Sequence, residues 1–221
     1  MRVPALMVMV IVALCAAPAG VGWADEAAAP ARAWTVRSPH QVRPLDPTAA
    51  ARLAALHERS RIAADALRVL SGAPRLQLTV TSSPALLRRA GSRGLSRFWV
   101  EEGTLVGRLQ FDTGESGPPQ QARALAHELA HALELALLPR QADTKTLAAL
   151  LLARLGRHAP WFSRAPIETP FALAVEKAIM FELGRGPAAD PRALARIALE
   201  HGLHLLPGTA VPAAPTDTSD P

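Results

Sequence analysis

The stretch Ala124-Leu125-Ala126-His127-Glu128-Leu129-Ala130-His131-Ala132-Leu133-Glu134-Leu135 decides how the rest of the chain is read. On a helix, residues four apart project from the same face, so His127 and His131 point together with Glu128 beside them. Leu125, Leu129, Ala130 and Leu133 lie on the same helix, which allows a plainer reading: a core-facing Ala/Leu helix whose histidines are merely hydrogen-bonded. Against that, two imidazoles and a carboxylate on or beside an apolar face cost free energy unless each has a partner. A metal ion held between the two rings is such a partner. The pattern H-E-x-x-H arises by chance in a chain of this length with a probability on the order of one per cent, so coincidence is the weaker explanation.

Around this stretch the helix runs from about Pro119 to Leu138 and stops before Pro139. Residues 112–119, with two Gly and two Pro, form the loop that enters it. Upstream, Leu76-Gln77-Leu78-Thr79-Val80-Thr81 alternates apolar and polar residues as a half-buried strand does. Residues 97–101 and 105–111 are two more strands, joined by a hairpin at Gly103, and the three predict a small antiparallel sheet. Asp46-Pro47 opens a helix on which Leu53, Leu56, Ile62, Leu67 and Leu70 recur at helical intervals, until Ser71-Gly72-Ala73-Pro74 stops it. Downstream, Asp143-Thr144 caps a helix to Gly156, and residues 158–166 are a connection. Glu168 or Thr169-Pro170 starts a helix to about Leu183, and Asp190-Pro191 starts the last one. The predicted class is α+β, predominantly helical with a small antiparallel sheet, as one domain over residues 45–205.

Composition agrees with this class. Of the 221 residues 49% are hydrophobic, mostly Ala and Leu with no Tyr and five Phe, which excludes wholesale disorder and points to helix-derived packing. Residues 1–24 read as a secretory signal: Arg2, an apolar run over 5–17, and small residues before Asp25, with cleavage after Ala19 or Ala24. An uncleaved anchor is the alternative, since the apolar run continues almost to Trp23, but Pro4, Pro18 and the small-residue end favour cleavage. Leu14, just before Cys15, argues against a lipoprotein. The mature protein is therefore expected to be secreted or periplasmic. Cys15 is the only cysteine and would leave with the signal, which removes disulfides and thiol catalysis. Residues 25–44, rich in Ala, Pro and Arg, read as an irregular lead-in, and residues 206–221 as a disordered tail. Losing Arg2 would take the formal charge from +5 to one unit less, and the remaining Arg are scattered without interleaved aromatics. That argues against a nucleic-acid partner and leaves a loose attraction to an anionic cell envelope.

With His127, Glu128 and His131 in this pattern, the chain resembles the HExxH zinc metallopeptidases, the zincins. Its order of helix, small sheet, H-E-L-A-H helix and later helix is similar to their minimal catalytic core. A metzincin would continue H-x-x-G-x-x-H, whereas Ala132-Leu133-Glu134-Leu135-Ala136-Leu137 follows His131, with neither the Gly nor the third His. The resemblance that remains is to the gluzincins, in which a downstream Glu completes the ligand set. Glu168, Glu176 and Glu182 are available. Ile167-Glu168-Thr169-Pro170-Phe171-Ala172 resembles the F-E-T-x-x-A segment that follows H-E-L-x-H-A-L-E in a group of uncharacterised secreted bacterial proteins, which favours Glu168. Ala172, one turn later, leaves room for another helix to come close. Ile179 and Met180 follow Glu176 at helical spacing and would crowd a metal, so Glu176 is the alternative, and Glu182 lies near the helix end.

The resemblance implies Zn2+ held by His127, His131 and Glu168, a peptide or protein substrate, and hydrolysis by a zinc-activated water with Glu128 as general base. Zincins often stabilise the oxyanion with a Tyr or His; with no Tyr here, His158, His201 or an Arg would have to serve, and His158 is the candidate donor, a surface loop histidine being the other reading. A non-catalytic zinc-binding protein of the cell envelope is the second function these residues allow. Glu134, one turn past His131, is a candidate acceptor for its second ring N–H. His201-Gly202-Leu203-His204 has ligand-like spacing without an acidic or cysteine companion and reads as a helix C-terminal pair. Residues 105–111 are expected at the sheet edge, where an extended substrate would add as a further strand.

Overall fold

The computed structural model describes residues 8–12, 41–138, 169–187 and 190–203. Ser60 divides the first helical stretch in two. Its backbone is extended, at φ −132° and ψ 119°, so it ends α1 (Pro47–Arg59) while its side chain accepts the N–H of Ala63 to start α2 (Arg61–Gly72). The apolar period runs on across the break because Leu53 and Leu56 of α1 and Leu67 and Leu70 of α2 enter one core. Spacing alone therefore reads one helix where a serine cap makes two. Asp46 caps α1 through Ala49 N at 2.8 Å, and its other oxygen accepts from Ser82 N at 2.7 Å, so the same carboxylate ties the helix start to the end of β3 (Leu76–Ser83).

The sheet differs from the antiparallel one expected. Its domain strands are β2 (Val42–Pro44), β3, β4 (Gly94–Glu101) and β5 (Thr104–Asp112), with the short α3 (Leu86–Ala90) between β3 and β4. β4 and β5 form the expected antiparallel hairpin, turning through Glu102 and Gly103, both at positive φ. β5 then returns between β4 and β3, so it runs parallel to β3, and β2 adds parallel on β3's other side. The sheet is mixed, and β5, expected at an edge, is central. Gly107 makes this insertion possible: a Cβ there would meet Phe98 at 2.8 Å on one side and a Leu78 methyl on the other.

Two parts of the N-terminal region pair where an irregular lead-in and a leader were read. Val42–Pro44 forms β2, held at its flanks by Leu78 N to Gln41 O at 2.6 Å and Leu45 N to Val80 O at 2.8 Å. Val8–Val12, inside the stretch read as a secretory signal, forms β1 on the outer side of β4, from Val8 opposite Phe98 to Val12 opposite Gly94. Without residues 8–12, β4 is the outer strand.

Buried Leu76, Leu78 and Val80 alternate with exposed or half-exposed Gln77 and Thr79, so one face of the sheet carries the core. Phe98, Leu109 and Phe111 continue that face under α1, α2 and α4 (Pro118–Leu137). α5 (Pro170–Arg185) packs along α4, and α6 (Ala193–Glu200) against α5. Among the described residues the protein is thus mixed α/β, with six helices on a mixed sheet. None of these helices is long and apolar enough to cross a membrane. The helix expected over 143–156, the 206–221 tail and most of the leader and lead-in lie outside the described residues.

Candidate metal centre

α4 enters the core along a fixed path. Pro118 and Pro119 occupy its first turn, where a missing N–H costs nothing, and the preceding loop is organised by Asp112. Asp112 accepts from Leu87 N at 3.3 Å and Glu115 N at 3.1 Å. Burial pushes its carboxyl up, yet these hydrogen bonds and those from Ser116 and Gly114 outweigh that and hold it below its ordinary value. From Ala124 to Leu135 every residue of α4 is buried, so His127, Glu128 and His131 lie inside the protein rather than on its surface. The small side chains of Ala126, Ala130 and Ala132 let neighbours come close.

The histidines converge as their spacing predicts. His127 Nε2 and His131 Nε2 are 3.0 Å apart, with the rings edge-on at 76°. Two ring nitrogens on one tetrahedral zinc, each about 2.0–2.1 Å from it, lie about 3.3 Å apart, so a small opening of this pair would admit the ion. Burial, and then the neighbouring charge of His127, hold the His131 ring well below its usual value. Near neutral pH it is therefore the uncharged imidazole that a metal requires. Both observations fit a divalent transition metal. Among the described residues no third His, Cys, Asp or Glu joins the pair to complete a ligand group.

Glu176, the alternative third ligand, meets the far side of the His127 ring. Its Oε2 lies 2.7 Å from His127 Nδ1, the ring nitrogen that does not face His131, and its Oε1 accepts from Arg123 Nε at 2.5 Å. Burial raises the carboxyl of Glu176, but the hydrogen bonds and charges of His127 and Arg123 outweigh it and keep the group below its ordinary value. As an ionised acceptor it favours a proton on Nδ1, which would leave the Nε2 lone pair to face a metal. Glu182 reaches the start of α2. It accepts from Ser60 Oγ at 2.6 Å and Ile62 N at 3.0 Å, placing a carboxylate at the N-terminus of α2.

Glu128 is fully buried, and its side chain lies against the first residue of β4. A Cβ on Gly94 would lie 3.1 Å from both Cγ and Cδ of Glu128 and closer still to Oε1. Glu134 accepts from Thr169 Oγ1 at 2.6 Å, and Thr169 also caps α5 through Ala172 N at 3.1 Å. His201 ends α6, packs edge-on against Phe171 at 6.1 Å, and borders a cavity of about 180 Å³ with Glu134, Thr169, Pro170 and Phe171. Glu168, His158 and His204 lie outside the described residues.

Arg123 and Gly94 were not picked out as site residues from the sequence. Arg123 carried a signal, because it precedes His127 by the four residues that separate His127 from His131. Gly94 carried none, since its role depends on which helix crosses that strand. No family model matches the chain, and neither a curated protein nor a solved structure matches it.

Proposed function

We propose that the protein is a secreted zinc-dependent metallopeptidase of the gluzincin type, with His127, His131 and Glu168 as the metal ligands and a zincin-like core around them. The convergence of the two Nε2 atoms at 3.0 Å, with Glu128 on the same turn, carries this reading. Glu168 is preferred as third ligand on two grounds. Both oxygens of Glu176 are engaged with His127 and Arg123, and Thr169, the residue after Glu168, is hydrogen-bonded to Glu134, one turn past His131. Thr169 thus contacts the helix that carries His131, which supports the choice.

When bound, zinc supplies Lewis acidity that lowers the pKa of a water and polarises a peptide carbonyl. The Glu128 carboxylate receives the proton of the attacking water and delivers it to the leaving amine. Glu176 keeps the proton of His127 on Nδ1, and buried Ala and Leu side chains of α4 exclude bulk water around the pair. His158 remains the candidate donor to the oxyanion. A second reading, a non-catalytic zinc protein of the cell envelope, draws on the burial of the site: His127 and Glu128 are 0% exposed and His131 is 4%.

Elemental analysis of the purified chain tests the ligand set, with wild type beside His127→Ala, Glu168→Ala and Glu176→Ala. Near-stoichiometric zinc that is lost in His127→Ala and Glu168→Ala is the expected result, and a wild type that takes up no zinc refutes the proposal. Glu128→Gln separates the two readings. A peptidase loses hydrolysis of a mixed peptide substrate while keeping its metal, whereas a binding protein shows no hydrolysis to lose.

A further inference from the structure

Arg123, His127 and His131 follow one another at intervals of four on α4, so they form one stripe along the helix. α5 lays Glu176 against this stripe, and the carboxylate spans two of its members: Oε1 takes the Arg123 Nε hydrogen at 2.5 Å and Oε2 meets His127 Nδ1 at 2.7 Å. Glu176 is 4% exposed, whereas the Arg123 side chain reaches 35% and is the end of the chain of contacts that meets solvent. A buried carboxylate with one oxygen unpartnered is costly and free to turn about its last bond. With Arg123 present, both oxygens are fixed in the direction that serves the ring.

We infer that Arg123 is a positioning residue for the proposed metal site: through Glu176 it aims the Nε2 lone pair of His127 at the ion. The inference rests on the zinc reading above. It differs from an ordinary helix-to-helix ion pair in what it controls, because such a pair would hold α4 to α5 without affecting how tightly zinc is bound.

Zinc affinity, measured by competition with a chromophoric chelator, distinguishes the two, using the full chain as wild type, Arg123→Met, Arg123→Lys, Glu176→Gln and the Arg123→Met/Glu176→Gln pair. Loss of a carboxylate partner behind a metal-binding histidine weakens binding about ten- to a hundredfold, and Arg123→Met is expected to fall in that range. The paired variant should be no weaker than the weaker single one, since both act through one contact. Arg123→Lys, which restores the charge without the fork, should recover part of the affinity. Thermal unfolding shows which variants fold; should Glu176→Gln not fold, Arg123→Met against Arg123→Lys decides alone. An Arg123→Met protein that binds zinc as tightly as wild type, with only its thermal midpoint lowered, overturns the inference, and so do losses that simply add in the paired variant. A wild type that binds no zinc is a different result, and overturns the zinc reading with the inference that depends on it.

Discussion

Gly94 owes its importance to space rather than to backbone freedom, because it sits in ordinary strand pairing opposite Phe111 while the Glu128 side chain fills the position of its missing Cβ. Gly94→Ala must push that carboxylate aside. Overfilling a packed site of this kind costs about 1–3 kcal/mol, which a urea midpoint would register. If Glu128 is the general base, hydrolysis should fall by roughly a factor of ten or more, because a displaced base no longer meets its proton, while zinc content stays at the wild-type level. Unchanged hydrolysis in a folded, zinc-loaded Gly94→Ala would remove Glu128 from the chemistry. At this scale the sequence showed what lies on one helix and little of what meets it. The pairing of His127 with His131 follows from spacing alone. The engagement of Glu176 with the other ring nitrogen does not, because periodicity places a carboxylate on a face without saying which atom it reaches across a helix interface.

Two carboxylates join elements that sequence reading left separate. Glu182, one of the three glutamates weighed as a metal ligand, instead reaches across from α5 to the start of α2, where Ser60 interrupts what looked like one helix. Asp46 was legible as a cap of α1, and its second partner, the end of β3, was not. Burial raises the Asp46 carboxyl, but hydrogen bonds from Ser82, Ala49 and Thr81 outweigh that and set it below its ordinary value. The folded protein therefore binds this proton less readily than the unfolded chain. The stability it contributes is fully present above the ordinary carboxylate range and is lost as pH falls through that range toward the lower folded value. Asp46→Asn keeps a capping oxygen but cannot ionise, so wild type should lose more stability than the variant between about pH 5 and about pH 3. Urea midpoints at the two pH values check this, and equal losses would mean that the acid limb belongs to other groups. Strand neighbours were the other gap at this scale. Alternation in residues 76–81 showed which side chains face the core, but the place of β5 between β4 and β3 depends on a long-range crossover that no local pattern encodes.

At the scale of the whole molecule, the helix-rich character seen in the described residues was readable from composition and apolar spacing, because both are sums over many residues. The proposed metal site, His127 and His131, sits inside the core rather than in place of it. α4 and α5 are already joined by Arg123 to Glu176 and by Thr169 to Glu134, and Ala172 and Val175 of α5 are buried in the core. Small zinc domains that unfold without metal have no such core to fall back on. If the protein holds zinc as proposed, removing the ion should therefore leave its helix content intact at room temperature while lowering its thermal midpoint. A ligand present at about a thousand times its dissociation constant stabilises the folded state by about 4 kcal/mol, which sets the scale of the shift. Circular dichroism with and without a chelator, followed by thermal unfolding of both samples, measures the two quantities together. Collapse of the helical signal on chelation would make the metal structural and favour the binding-protein reading. An unchanged midpoint would mean that His127 and His131 hold each other and no ion. A lowered midpoint with intact helices is the outcome a catalytic site requires, since its metal must be held by a scaffold that stands without it.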